Sequence, residues 1–283
     1  MISVVVPTCD RPDALARCLA ALARQRVEEL DVVVVNDGAG EVDAPGARVV
    51  RAGGRGPAAA RNLGAGAARG DVVCFTDDDC SPGPDWAQRL ARACAGGDAA
   101  AGTTIADRAA GGPAAAAQLL TNTLLTTSRD DAGAGLRFAP TCNLACHAET
   151  LAKLPFDESF ALAAGEDRDW CARLVASNAV LRHVPGAVVF HRPQLGVRGL
   201  VRRQVRYGRG AVGFRAAGGT LARAPFYREL ARASAQAGAG TAALVALAQA
   251  SLAAGAASEL LQQRLARRTT VDTARGGDRR RDV

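Results

Sequence analysis

Aromatic residues are scarce in this chain. Phe, Trp and Tyr make up 4% of its 283 residues, so large apolar anchors are few and sit in definite places. Lysine is rarer still, with Lys153 the only one. Arginine supplies the remaining positive charge, a pattern expected of a GC-rich coding bias, so an arginine here says less about guanidinium chemistry than usual. No CxxC occurs, and Cys142 and Cys146 lack a matching His/Cys pair, so the eight cysteines do not spell a zinc site. The start, MISVVVPTCD, has no basic n-region and runs straight into a strand-like segment, so no signal peptide is read. A cytoplasmic protein with free thiols follows, most of them small core residues. No GxGxxG comes after the first strand, which excludes the Rossmann dinucleotide fingerprint.

What is present is a chain long enough for one large domain or two small ones, 48% hydrophobic by a count dominated by alanine. The formal charge is +7, unevenly spread: ten arginines and one acid, Glu229, lie between Arg192 and Arg232. Such a local field suits a phosphate-rich partner: a sugar nucleotide, a polyprenyl phosphate or an anionic membrane surface. Nucleic acid fits the charge but has no accompanying fold motif, so no nucleic-acid partner is expected.

Ile2 to Pro7 reads as a buried strand, with Asp10 placed to cap a helix that has Pro12 in its first turn. Leu15, Cys18, Leu19 and Leu22 recur at helical spacing. Asp31 to Asn36 is a second buried strand, ARVV a short third one, Ala58 to Ala68 a helix, and Asp71 to Thr76 a fourth strand. Continuous apolar strands alternating with helices imply a parallel sheet covered on both faces, with ligands beyond the C-terminal strand ends. Pro7-Thr8, Asn36-Asp37-Gly38 and Asp77-Asp78-Asp79 all fall at those ends. Further on, helices are expected at Trp86 to Ala95 and Pro113 to Thr127, short strands at Ala99 to Ile105 and Thr141 to Cys146, and two short strands around Pro185-Gly186 within Ala179 to His191.

Three adjacent carboxylates at a buried strand end repel one another unless a cation offsets them. Mg2+ or Mn2+ prefers oxygen ligands and often takes one or two protein carboxylates, with phosphates and water completing the shell. An isolated DDD would read as a solvated acidic turn; the buried strand and the neighbouring polar loops favour the metal. NDG is a common turn sequence, and Asp37 is equally placed to accept hydrogen bonds from a nucleobase or ribose. Arg61 and Asn62 lie near a helix start, where a diphosphate would also find a partner. Glu166 and Asp167 open a helix, favourable with its dipole, and either carboxylate could serve as general base on a hydroxyl. His191 ends a strand; beside an acidic cluster it becomes a candidate third metal ligand.

Four segments, ISVVVPTCDRPDALARCLAAL, VVVVNDG, GPAAARNLGAGAARGDVVCFTDDDC and GEDRDWCARL, resemble glycosyltransferase family 2 in this order, over roughly residues 2 to 210. The resemblance implies the GT-A fold. In it a mostly parallel α/β sheet is flanked by helices, a Rossmann-like nucleotide-binding half (1–105) is fused to an acceptor-binding half (106–215), and a helical C-terminal extension follows (216–268). Residues 269–283 are expected to be a disordered tail. The implied reaction is inverting transfer of a single sugar from a UDP-, GDP- or dTDP-sugar to an acceptor hydroxyl, lipid-linked or on a small molecule. By the same resemblance, Pro7, Thr8 and Asp37 hold the nucleoside. Asp77 and Asp79 match the DXD motif, Asp77 toward ribose and Asp79 on metal, with Asp78 between them and within reach of the nucleotide. Arg61 and Asn62 line the donor pocket. Asp167 is the expected base, Glu166 an acceptor binder, and His191 a ligand to metal or diphosphate.

The chain departs from the family in two places. Asn36 stands where many relatives have an acid, and Gln194 to Arg198 is followed by Gly199 rather than the Trp of the processive QxxRW motif. Arg202, Arg203, Arg206, Tyr207 and Arg209 are placed either to cover the donor site or to form a solvated basic helix. Ala233 to Ser258 carries no charge over a length that could span a bilayer, yet its alanine content favours a helix that packs on the protein or lies on a membrane surface. Two other functions compete: a catalytically silent sugar-nucleotide-binding protein, which would not need both DDD and GED, and a nucleotidyltransferase, which would need an N-terminal glycine-rich loop that MISVVVPTCDRP lacks.

Overall fold

The computed structural model describes residues 1–95, 98–107, 109, 111–129, 135–160, 165–216 and 224–278. Its centre is an eight-stranded sheet. The strands in chain order are β1 (Ile2–Thr8), β2 (Leu30–Asn36), β3 (Arg48–Arg51), β4 (Val72–Phe75), β5 (Cys80–Pro82), β6 (Ala99–Ala106), β7 (Leu144–His147) and β8 (Leu181–His191). In space they run β3-β2-β1-β4-β7-β6-β8-β5. The pairs β1/β2, β1/β4, β2/β3 and β6/β8 are parallel, whereas β4/β7, β6/β7 and β5/β8 are antiparallel. The sheet is thus more mixed than the alternating pattern of its first half suggests.

Alternation along the first strands sorts side chains onto two faces. Val5, Val33, Val35, Val73 and Phe75 face one core; Val4, Val6, Val34 and Cys74 face the other. Helices α1 (Pro12–Leu22) and α3 (Trp86–Cys94) cover the second face through Leu15, Leu19, Trp86 and Leu90. Helices α2 (Pro57–Ala67), α5 (Ala148–Lys153) and α6 (Glu166–Ala176) cover the first through Ala58, Leu151, Trp170 and Leu174. The few aromatics do concentrate: Phe156 stacks on Trp170 at 5.4 Å and meets Phe75 edge-on at 5.6 Å.

A third core joins α4 (Gly111–Thr127), α7 (Val197–Ala216), α8 (Ala224–Gln236) and α9 (Ala239–Asp278) through Ala117, Leu120, Leu200, Phe226, Leu230 and Val245. Small residues let α7 and α9 close tightly: a Cβ on Gly208 would meet the Leu252 carbonyl, and one on Gly255 the Val205 carbonyl. Residues 239–265 of α9 are long and apolar enough to cross a membrane by length and composition alone.

Several expectations change. Asp10 does not cap α1: Arg11 occupies that position with no side-chain cap, and Asp10 adopts φ 52°. Pro185-Gly186 does not divide two strands. The whole of Leu181–His191 is one strand, and the extra residues loop out at a bulge opposite Gly102/Thr103. Helix α9 continues to Asp278, past the point where a tail was expected; residues 279–283 of that tail, and 217–223 of the expected extension, lie outside the described residues.

Candidate active site

The parallel strands deliver Thr8, Asn36 and the Asp77–Asp79 loop to one sheet edge. β8 brings His191 there as well: it runs parallel to β6, and its antiparallel pairing with β5 sets Cys80 opposite His191. A backbone bond from Arg192 N–H to the Asp79 carbonyl, 2.8 Å, clamps the two segments.

The three carboxylates have unequal surroundings. Asp77 is the most exposed, and its Oδ1 accepts from Arg61 Nη2 at 3.3 Å. Asp78 points inward, fully buried: Thr8 Oγ1 donates to it at 2.7 Å, and Arg11 Nη2 lies 2.7 Å from its Oδ1. Burial pushes the Asp78 carboxyl up to about 6, against the pull of Arg11 and the Thr8 hydrogen bond. Asp79 accepts from Arg11 Nη1 at 3.0 Å on one oxygen and faces His191 Nε2 at 3.3 Å with the other. Burial opposes its ionisation, but the hydrogen bond and charge of His191, then the charges of Arg11 and Arg203, bring it down to about 2. Burial likewise disfavours a charged His191, and Asp79 overcomes it and raises the imidazole.

Thus two arginines already offset the like charges that made DDD puzzling. Arg11 bridges Asp78 and Asp79, a role missed in the sequence because arginine is common here; its place just past the first strand end is the signal that could have found it. Arg61 is buried and joins two motifs. Its Nη1 donates to Glu166 Oε1 at 3.0 Å while Nη2 reaches Asp77, and Phe156 lies against it at 5.9 Å from ring centre.

Asp37 accepts the backbone N–H groups of Arg55 at 2.8 Å and Gly56 at 2.9 Å, one on each oxygen, and so shapes the loop before α2. A carboxylate has further lone pairs, which leaves acceptor capacity for a ligand. Asn36 closes the NDG turn by accepting from Gly38 N–H and donating to the Gly40 carbonyl. Asn62 is turned away from the acidic cluster: it exchanges hydrogen bonds with the Phe156 backbone and donates to Glu158. Pro7 remains within β1, opposite Val35.

Glu166 and Asp167 form the first turn of α6. Gly165 enters it at φ 110°, a conformation that favours glycine. Glu166 is buried against Arg61. Asp167 is half-buried, held by a 2.8 Å bond from the Arg168 N–H, and is raised to about 7, first by burial and then by the negative charge of Glu166. Of the basic residues on α7, Arg202 and Arg206 face solvent and Arg209 pairs with Glu259 at 3.0 Å. Arg203 lies 5.7 Å from the centre of the Tyr207 ring.

Asp79, Cys80 and His191 bring one potential ligand atom each within 4.8 Å of one another. Burial pushes the Cys80 thiol well above its usual range, while Asp79 offers a carboxylate oxygen and His191 an imidazole nitrogen. The carboxylate oxygen, with Asp77 nearby, is a donor that Mn2+ or Mg2+ accepts.

Residues 3–142 match the family model "Glycosyl transferase family 2". The pre-mycofactocin glycosyltransferase of Mycobacterium tuberculosis is 29% identical over 222 residues, 73% of this chain and 46% of the relative, so the chain spans about half that relative's length. The putative glycosyltransferase EpsH of Bacillus subtilis is 27% identical over 101 residues, 32% of this chain and 29% of the relative. Among solved structures, a mannosyltransferase from Pyrobaculum calidifontis in complex with GDP-Man and Mn2+ superposes with TM-score 0.55 at 20% identity, covering 94% of this chain and 79% of that one. Glucosyl-3-phosphoglycerate synthase from Mycobacterium tuberculosis, in complex with Mn2+, UDP and glucosyl-3-phosphoglycerate, gives 0.55 at 19% identity, covering 78% and 81%. These likenesses show the fold, an α/β GT-A sheet flanked by helices. With the ordered motifs, the family match and this fold in agreement, residues 3–142 are identified as a glycosyltransferase family 2 segment on a GT-A fold.

Proposed function

We propose that this protein is an inverting, divalent-metal-dependent glycosyltransferase that moves one sugar from a nucleotide-diphospho-sugar to an acceptor hydroxyl. The observation that carries this reading is a single connected site: Asp77 and Asp79 at the strand ends, His191 beside Asp79, and Arg61 linking Asp77 to the Glu166-Asp167 turn.

Asp79 and His191, with Asp77 beside them, would hold Mn2+ or Mg2+. When bound, the ion acts as a Lewis acid on the diphosphate leaving group. Asp37 accepts hydrogen bonds from the nucleoside, and Asp77 stands toward the ribose. Asp167 takes the proton of the acceptor hydroxyl as that oxygen forms its bond to the sugar C1 on the face opposite the breaking C1–O bond. One base suffices, and inversion at C1 follows from the single displacement. Glu166, fixed by Arg61, orients the acceptor rather than receiving its proton.

The donor is a UDP-, GDP- or dTDP-sugar, a reading supported by the mannosyltransferase in complex with GDP-Man and Mn2+ and the synthase in complex with UDP and Mn2+. The acceptor is a hydroxyl on a small molecule or a lipid-linked one. Eight free thiols, seven of them buried, fit a cytoplasmic setting, and the uncharged first half of α9, residues 239–258, suits peripheral contact with the membrane.

A panel of nucleotide sugars, read by thermal shift with and without Mn2+, tests this directly. One class of donor should raise the melting temperature in a Mn2+-dependent way and be consumed on addition of acceptor. Binding without turnover, unaltered by Asp167→Asn, would instead identify a silent sugar-nucleotide-binding protein.

A further inference from the structure

The hydrogen-bond chain behind His191 has a direction that can be worked out from its far end. Asn122 on α4 bonds the backbone carbonyl of Thr104 at 3.0 Å, and a carbonyl can only accept. Asn122 therefore presents its NH2 group to Thr104 and its Oδ1 to Gln118. Gln118 Nε2 donates to that oxygen at 2.8 Å, which turns Gln118 Oε1 toward His191. His191 Nδ1 lies 2.7 Å from Gln118 Oε1, so Nδ1 carries a proton and donates it. In the neutral ring, Nε2 then holds a bare lone pair. That lone pair faces Asp79 Oδ1, another acceptor, 3.3 Å away.

Two acceptors set face to face at that distance need a cation between them, either a proton or a metal ion. The surroundings allow little escape. Gln118 is 5% exposed, and its side chain is held between Asn122 and the imidazole. Gln118 and Asn122 are one turn apart on α4, so a single helix face carries both links. β6 supplies the terminal carbonyl, and β6 also runs parallel to β8, which bears His191. The sheet thus holds both ends of the relay, and α4 supplies the two amides between them.

We infer that Gln118 and Asn122 form a positioning relay that holds His191 as the Nδ1–H tautomer, presenting Nε2 as a ready ligand beside Asp79. The inference rests on reading Asp79 and His191 as metal ligands, but the tautomer itself is a property of the metal-free protein. Outer hydrogen bonds of this kind set the orientation and basicity of a ligating imidazole, and losing one typically costs roughly 10- to 100-fold in metal affinity.

The chain contains three histidines, so long-range 1H–15N spectra of the imidazoles are readily assigned. In the metal-free protein, above the imidazole titration, His191 should show a protonated Nδ1 and an unprotonated Nε2. Gln118→Leu should shift the ring toward the Nε2–H tautomer or a mixture, and weaken Mn2+ binding, read by electron paramagnetic resonance, by about tenfold or more. Gln118→Glu keeps the acceptor and should retain the tautomer, which separates loss of the relay from a general packing defect. Asn122→Leu tests the second link and should shift the ring in the same sense as Gln118→Leu. An Nε2–H tautomer in the wild type, or an unchanged tautomer in Gln118→Leu, would overturn the relay. A wild type with the Nδ1–H tautomer that binds no Mn2+, with or without nucleotide, would uphold the relay and overturn the metal reading.

Discussion

Arg61 and Glu166 form a buried pair: Nη1 donates to Oε1 at 3.0 Å, and both side chains are more than nine-tenths shielded from solvent. The pair ties helix α2 to the first turn of α6, and through Asp77 it reaches the acidic loop as well. Removing one member strands the other charge in the interior. Arg61→Met should therefore cost about 3–5 kcal/mol in denaturant unfolding. Adding Glu166→Gln should recover much of that loss, because the stranded carboxylate disappears. A double variant no more stable than Arg61→Met would show that Arg61 acts through its packing on Phe156 instead.

Asp78 and Asp79 should differ in what they do for catalysis. Asp78 is buried under Thr8 and Arg11, so Asp78→Ala leaves the Thr8 hydroxyl without its acceptor and Arg11 with Asp79 alone, and should lower stability by about 1–3 kcal/mol. Asp79→Ala also gives up contacts to Arg11 and His191 and should cost some stability, but it should in addition abolish metal-dependent turnover. Thermal unfolding alongside an Mn2+ titration of activity distinguishes them. Turnover that survives Asp79→Ala would refute the metal role given to this residue.

Asp167, at about 7, should dominate the acid limb of the pH profile. A base works only when deprotonated. Its raised value means that the ready fraction declines as pH falls through 7, so kcat/KM should drop about tenfold per unit below that point. Asp167→Asn should reduce kcat by roughly 100- to 10,000-fold and remove that limb from what activity remains. A profile flat down to pH 5 would place the proton acceptor elsewhere.

Legibility followed burial. β1, β2 and β4 were readable because strands shielded on both faces become unbroken apolar runs, and the polar residues after them mark the sheet edge. β5 was not, because three residues, Cys80–Pro82, carry no period of their own and become a strand only by pairing with β8. The bulge in β8 defeated the reading for a related reason. Pro185-Gly186 signals a turn locally, but the register with β6 resumes beyond it at Val188. Asp10 looked like a cap on composition, yet its backbone geometry keeps it out of that position.

The sequence by itself determined the chemical inventory: three acids after a buried strand, an acidic pair entering a helix, a histidine ending another strand, and their order along the chain. Local periodicity and residue type carry that information without knowledge of distant contacts. Tertiary structure alone decided how the inventory is used. It turned Asp78 inward to Thr8, gave Asp79 to Arg11 and His191, and set Gln118 behind the imidazole. Such assignments depend on strand register and helix docking between segments far apart in the chain, and a one-residue change of register sends a side chain to the other face of the sheet.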